Sequence, residues 1–183
     1  MRMEVNIMVQ QKVTSIFNSF KYHPKKRSQI PEKIWHEPLY FIAFGLGSGA
    51  MPVAPGTFGT LLAIPFYLLL QNLPLYAYLL FLIVFTVFSS WLSDRISREI
   101  HVHDHPGMNI DEFVGFFVTM TAAPHGLGWI ILGFLLFRLF DIWKPWPIDI
   151  IDEKVHGGFG MVLDDIFAGI FAMIIIQYLK VYF

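Results

Sequence analysis

No Asp, Glu, Lys or Arg occurs between Leu39 and Ser93, and this one feature excludes most ways a chain can fold. An uncharged run of that length belongs in hydrocarbon or in a fully buried interior. The composition agrees. Hydrophobic residues make up 55% of the 183-residue chain and charged residues 15%, with 19 Phe and 5 Trp, more apolar and less charged than a soluble chain. The length suits one domain with a substantial core. The expected fold class is therefore all-α: a compact, membrane-embedded helical bundle whose short helices are broken by Gly and Pro.

The net charge of -1 conceals an asymmetry, because residues 1–38 hold seven Lys and Arg against three Asp and Glu, whereas residues 39–183 are net acidic. The chain divides accordingly into a basic amphipathic extension and linker, 1–38, and a helical membrane domain, 39–183. Met1 to Phe20 is weakly amphipathic and suits a membrane surface. Lys25, Lys26 and Arg27 read as a solvated orientation signal on the cytoplasmic side rather than a nucleic-acid site, since no further basic face supports them. The chain has no Cys, so thiol chemistry and disulfides are excluded. No signal peptide is expected, because the first apolar block begins only near Leu39.

Within the uncharged run, Phe44 to Thr60 (F-G-L-G-S-G-A-M-P-V-A-P-G-T-F-G-T) must interrupt any helix. It reads either as a turn that caps the next helix through Thr57, or as a cradle in which backbone N–H groups around Gly47, with Ser48, Thr57 and Thr60, approach a phosphate. Thr57 to Leu70 and Leu75 to Leu92 then form a helical hairpin turning at Gln71 to Pro74. Asp94, Arg95, Arg98 and Glu99 follow on a polar helix, with Asp94 and Arg98 at i, i+4 spacing for a surface ion pair. His101, His103 and His105 alternate before Pro106-Gly107 and read as a solvated loop.

The remaining charges collect at the ends of apolar segments. Asp111 and Glu112 precede one, Asp164 and Asp165 head another, and F-R-L-F-D-I-W-K-P-W-P (Phe137 to Pro147) sets Arg138, Asp141 and Lys144 three residues apart on one helix flank. Helix-dipole capping explains any one of these sites. It explains their recurrence poorly, because charge beside lipid persists mainly where it pairs, binds an ion or lines a polar cavity. Several carboxylates supply the hard oxygen ligands that suit Mg²⁺, and Arg with Lys completes a site for a phosphate. The residue chemistry thus points to metal-assisted phosphoryl transfer at a membrane. The competing reading is a small transporter or ion-binding membrane protein that uses the same acids as an ion path.

The segments G-L-G-S-G-A-M-P-V-A-P-G-T-F-G-T, I-D-E-F-V-G, F-R-L-F-D-I-W-K-P-W-P and V-H-G-G-F-G-M-V-L-D-D-I-F-A-G resemble the phosphatidylglycerophosphatase A family in order and spacing, over roughly residues 41–172. The resemblance implies a Mg²⁺-dependent, all-helical phosphatase of the bacterial inner membrane that converts phosphatidylglycerophosphate to phosphatidylglycerol; the basic amino end places the active site on the cytoplasmic face. Onto this chain it carries Asp111, Glu112, Asp141, Lys144, Asp164 and Asp165, with the Phe44 to Thr60 loop as a headgroup contact. The roles expected are Mg²⁺ ligation by Asp111, Glu112, Asp164 and Asp165, and phosphate binding by Arg138 and Lys144. Asp141 serves either as a further ligand or as the group that orients water or attacks. Phe58 departs from the Trp that many relatives place there, and residues 1–33 have no counterpart in the motif-bearing core.

One conflict shapes the expected topology. If Phe113 to Phe137 crossed the membrane once, Asp141 and Asp165 would lie on the face opposite Glu112. The break at Ala123 to Gly126 suggests instead two short arms, Phe113 to Met120 and Trp129 to Phe137, folded as a re-entrant hairpin that brings Glu112 near Arg138.

Overall fold

After Asp111 and Glu112, the stretch Phe113 to Val118 (F-V-G-F-F-V) is apolar at every position, and a helix apolar on all sides must be surrounded. The computed structural model, which describes residues 31–102 and 105–182, buries all ten residues of the helix Ile110–Thr119. The amphipathic stretch 1–20, most of the basic linker and His103 lie outside the described residues. Among the described residues there is no strand. In chain order the α-helices are α1 (Pro38–Ala43), α2 (Pro55–Leu70), α3 (Leu75–Ile100), α4 (Ile110–Thr119), α5 (Leu127–Trp143), α6 (Ile148–Lys154) and α7 (Gly157–Leu179).

The other helices enclose α4. From α2, the Tyr67 ring meets Phe116 edge-on at 6.0 Å. From α3, the Tyr78 hydroxyl donates to the Phe117 carbonyl at 2.6 Å. Glycines set the approach of α5 and α7: a Cβ on Gly115 would strike the Phe137 ring and the Asp165 carbonyl, and one on Gly169 would strike the Gly115 carbonyl. Small residues at such crossings let helix backbones come close where no hydrophobic drive separates protein from lipid.

Two helices, α3 and α7, are long and apolar enough to cross a membrane. The apolar window of α3 is only 17% buried, with Leu80, Ile83, Val84 and Val87 facing outward. A surface of that kind is stable against hydrocarbon and not against water.

The observed elements correct three expectations. Thr57 does not cap α2: the helix starts at Pro55, behind a left-handed Ala54 (φ 47) with no side-chain cap, because proline is already set for the first helical position. The polar residues after Leu92 do not begin a new helix but continue α3 to Ile100, supported by the i, i+4 pairs Asp94–Arg98 at 2.7 Å and Arg95–Glu99 at 3.0 Å. The second arm of the hairpin formed by α4 and α5 is longer than the nine residues expected. It has 17 residues, about 25 Å at the usual helical rise, because the helix runs on through Arg138 and Asp141 to Trp143. The hairpin's tip is held beside the carboxyl end of α7, where Gln177 Nε2 and Lys180 Nζ donate to the carbonyls of Thr121 and Ala122 at 2.9 and 3.0 Å. Those carbonyls lie beyond the end of α4, where no further helical turn supplies a donor.

The crossing of α4, α5 and α7 leaves no room for a side chain at residue 115. Gly115→Val should destabilise the protein by about 1–3 kcal/mol, read as a lower Tm in detergent. Gly128→Val, at a position with nothing within 4 Å, should leave Tm nearly unchanged.

Candidate active site

Arg138 and Asp141 are three residues apart on the last turns of α5, and their side chains pair at 2.9 Å (Nη1 to Oδ2). The same guanidinium nitrogen pairs with Glu112 Oε2 from the first turn of α4, so the hairpin does return Glu112 to Arg138. Thr60 of α2 adds its hydroxyl, 3.0 Å from Glu112 Oε2. All three charged side chains are nearly closed off, at 12–14% exposure. Lys144 follows at the end of α5 with a left-handed backbone (φ 44). Its Nζ lies 2.6 Å from Asp164 Oδ2 of α7 and 2.7 Å from Asp152 Oδ1 of α6. Burial alone would lower the ammonium pKa, and the two carboxylates more than reverse this, holding it above the ordinary lysine value.

These groups surround a cavity of about 290 Å³. The start of α2 contributes Ala54, Pro55 and Gly56, the approach to α4 contributes Pro106 and Met108, and α4 itself contributes Asp111 and Glu112. Arg138, Asp141 and Lys144 line it from the end of α5, Asp152 from α6, and Asp164 and Asp165 from α7. Oxygen atoms of Glu112, Asp141 and Asp165 lie within 4.8 Å of one another, a spacing at which one small cation can be shared. Asp164 Oδ1 and Arg138 Nε are buried and lack a hydrogen-bond partner.

Six carboxylates therefore face two cationic side chains in one cavity. Charge so concentrated and so poorly hydrated requires further compensation. The donor set, all oxygen and mostly carboxylate, fits Mg²⁺.

The glycine-containing loop contributes less than a cradle would. The Cα of Gly47 faces the rings of Trp35 and Phe41, and Ser48 is occupied with the Gly45 carbonyl at 2.8 Å and Asn109 Nδ2 at 2.9 Å. Thr57 does not line the cavity, and Thr60 reaches it only through Glu112. Only Ala54 to Gly56 forms a wall, because the loop packs against the segment before α4 instead of opening toward the site. Two participants carried no recognisable sequence signal. Asp152 sits among Asp149 and Glu153 on a short surface helix, and Asn109 is a neutral amide that holds the loop to α4 by donating to Ser48 Oγ and the Pro55 carbonyl, both at 2.9 Å. Asp94 stands apart, paired with Arg98. His105 is buried, its Nδ1 accepting the Gly107 N–H at 3.0 Å, rather than solvated.

Fold and site together define a helical protein with an apolar exterior and a recessed polar cavity that pairs clustered carboxylates with an arginine and a lysine. The chain belongs to the phosphatidylglycerophosphatase A family, whose sequence model matches residues 41–180. It is 40% identical to the phosphatidylglycerophosphatase A of Escherichia coli (strain K12) over 143 residues, covering 78% of this chain and 83% of the relative. Identity to the Haemophilus influenzae protein of the same name is also 40%, over 76% of this chain and 86% of the relative. A Bacteroides thetaiotaomicron protein provisionally named phosphatidylinositol-3-phosphatase is 34% identical, over 74% of this chain and 89% of the relative. No solved structure matches the chain.

Because Arg138 compensates both Glu112 and Asp141, its removal leaves buried carboxylates unpaired. Arg138→Ala should cost about 3 kcal/mol or more, read as a lower Tm in detergent, and Arg138→Lys should recover part of the loss. An unchanged Tm in Arg138→Ala would show that the guanidinium does not hold the two carboxylates together.

Proposed function

We propose that this chain hydrolyses the terminal phosphate monoester of phosphatidylglycerophosphate, yielding phosphatidylglycerol and inorganic phosphate, in a Mg²⁺-dependent reaction. The observation that carries this reading is the close grouping of Glu112, Asp141 and Asp165 oxygens beside Arg138 and Lys144. Glu112, Asp141 and Asp165 would hold the ion, with Asp111 and Asp164 beside them. When bound, Mg²⁺ supplies Lewis-acid polarisation of a phosphoryl oxygen and eases ionisation of a water.

The protein's own groups supply the remainder. Arg138, fixed between two carboxylates, presents a preorganised positive charge to the phosphoryl oxygens as negative charge builds on them. Lys144 is a compact ammonium with three donors, and it adds a second charge beside Asp164. The buried Asp164 Oδ1, which has no hydrogen-bond partner, can accept a proton from the attacking water. As that water's oxygen bonds to phosphorus, the bond from phosphorus to the glycerol oxygen breaks, and the glycerol oxygen takes up a proton from solvent. The low exposure of Glu112, Arg138 and Asp141, 12–14%, strengthens the interactions at the inner end of the cavity.

The phosphatase domain would be residues 39–183, with 1–38 as a basic extension. The cavity would open to the cytoplasmic face of the inner membrane, where Arg95 and Arg98 end α3. A transporter using the same acids is the alternative, and turnover separates the two. Purified protein should release phosphate from phosphatidylglycerophosphate in Mg²⁺ and stop in chelator, while Glu112→Gln and Asp165→Asn should each lose at least about 100-fold in kcat. Normal turnover in both variants would overturn the assignment of these carboxylates. For the topology, single cysteines replacing the exposed Arg98 and Asp149 should react with an impermeant thiol reagent only in opened cells. Labelling of residue 149 from outside would contradict a cytoplasmic site.

A further inference from the structure

The ammonium of Lys144 is held between two unlike carboxylates. Asp164 is 10% exposed and belongs to the inner wall, whereas Asp152 is 47% exposed and rides on α6 at the rim. That helix is pinned by Ile148, which is fully buried, so Asp152 projects from a fixed base. Lys144 itself is 29% exposed, reachable from the mouth on the side that Asp152 occupies. An ion pair with so accessible a partner is weak and exchangeable. The inner pair with Asp164 is shielded and persists.

We infer that Asp152 is a specificity-determining residue: a place-holding carboxylate on Lys144 that a phosphate monoester displaces and a phosphodiester does not. This rests on the reading of Lys144 as a phosphate contact. A phosphate monoester carries about 1.5 to 2 negative charges near neutral pH, more than the single charge of a carboxylate, and it offers three terminal oxygens to the ammonium. It therefore wins the exchange. A phosphodiester headgroup carries one charge, no more than Asp152, and has no such advantage. The distinction matters where the site works, because the reaction product and the surrounding anionic lipids are diesters present in large excess over a monoester substrate. Asp152 thus keeps them off Lys144 and lets the product leave.

The test uses the whole protein in mixed micelles of phosphatidylcholine, with phosphatidylglycerophosphate as substrate and increasing phosphatidylglycerol as the competing diester. In Asp152→Asn, KM and the Ki for inorganic phosphate should both fall by about 3- to 5-fold, the worth of one exposed ion pair. Phosphatidylglycerol at fractions harmless to the wild type should now inhibit. Asp152→Glu should behave as the wild type, and in a Lys144→Ala background Asp152→Asn should change nothing. A substitution that merely damaged the structure would raise KM, so an unchanged or raised KM without new inhibition by the diester would overturn the inference. Titration calorimetry with inorganic phosphate gives a readout independent of the lipid substrate. Tighter phosphate binding by Asp152→Asn would support the place-holder even if phosphatidylglycerophosphate proved not to be the substrate, and equal binding would refute it.

Discussion

The structure depends on one guanidinium. Arg138, near the end of α5, pairs with Asp141 on its own helix and with Glu112 on α4, and this three-way contact closes the hairpin that runs through the middle of the bundle. Three charges so enclosed would be costly alone, and together they offset much of one another. The contact also fixes the chain's direction, because a segment that must bring residue 138 back to residue 112 cannot cross a membrane once and stay on the far side. The acids of α7 reach the same cavity because Gly115 and Gly169 let α7 lie close along α4.

A division of labour follows between shell and cavity. The shell is apolar outside and aromatic within: Phe113, Phe116 and Phe117 of α4 and Phe137 of α5 belong to the main core. The cavity lies at the end of that core where α5 gives way to Lys144 and where α7 begins. A site in this place suits a substrate whose tails stay in hydrocarbon while its headgroup is handled by charge, and it needs no channel through the bundle. The acids are gathered at one end of the helices, which favours chemistry on a headgroup over conduction along an ion path.

Much of this was legible in the sequence, and the reasons differ by element. The uncharged run from Leu39 announced lipid, and the triplet Arg138, Asp141 and Lys144 announced a charged flank because a three-residue spacing leaves little freedom on a helix. The turn inside Phe113 to Phe137 was marked by Pro124 and Gly126, and the need for Glu112 and Arg138 to meet gave its geometry. The same flank carries the second arm past Phe137 to Trp143, with Pro145 and Pro147 beyond its end, although the arm taken by itself reads as ending at Phe137. The loop from Gly45 was misleading for a physical reason: its glycines allow close packing against Gly107 and Asn109, and close packing needs the same residues as a phosphate cradle. Asp152 was invisible because its partner lies in another helix and its neighbours are also acidic.

The central claim is that a divalent cation and a lipid phosphate meet among Glu112, Asp141 and Asp165. Substituting Mn²⁺ for Mg²⁺ gives a paramagnetic probe of that meeting. Pulsed magnetic resonance of the Mn²⁺-loaded protein should show a ³¹P coupling when a non-hydrolysable phosphonate analogue of phosphatidylglycerophosphate is added, and the protein-bound signal should vanish in Asp165→Asn. A bound Mn²⁺ that shows no phosphorus coupling, or that survives Asp165→Asn unchanged, would contradict the account.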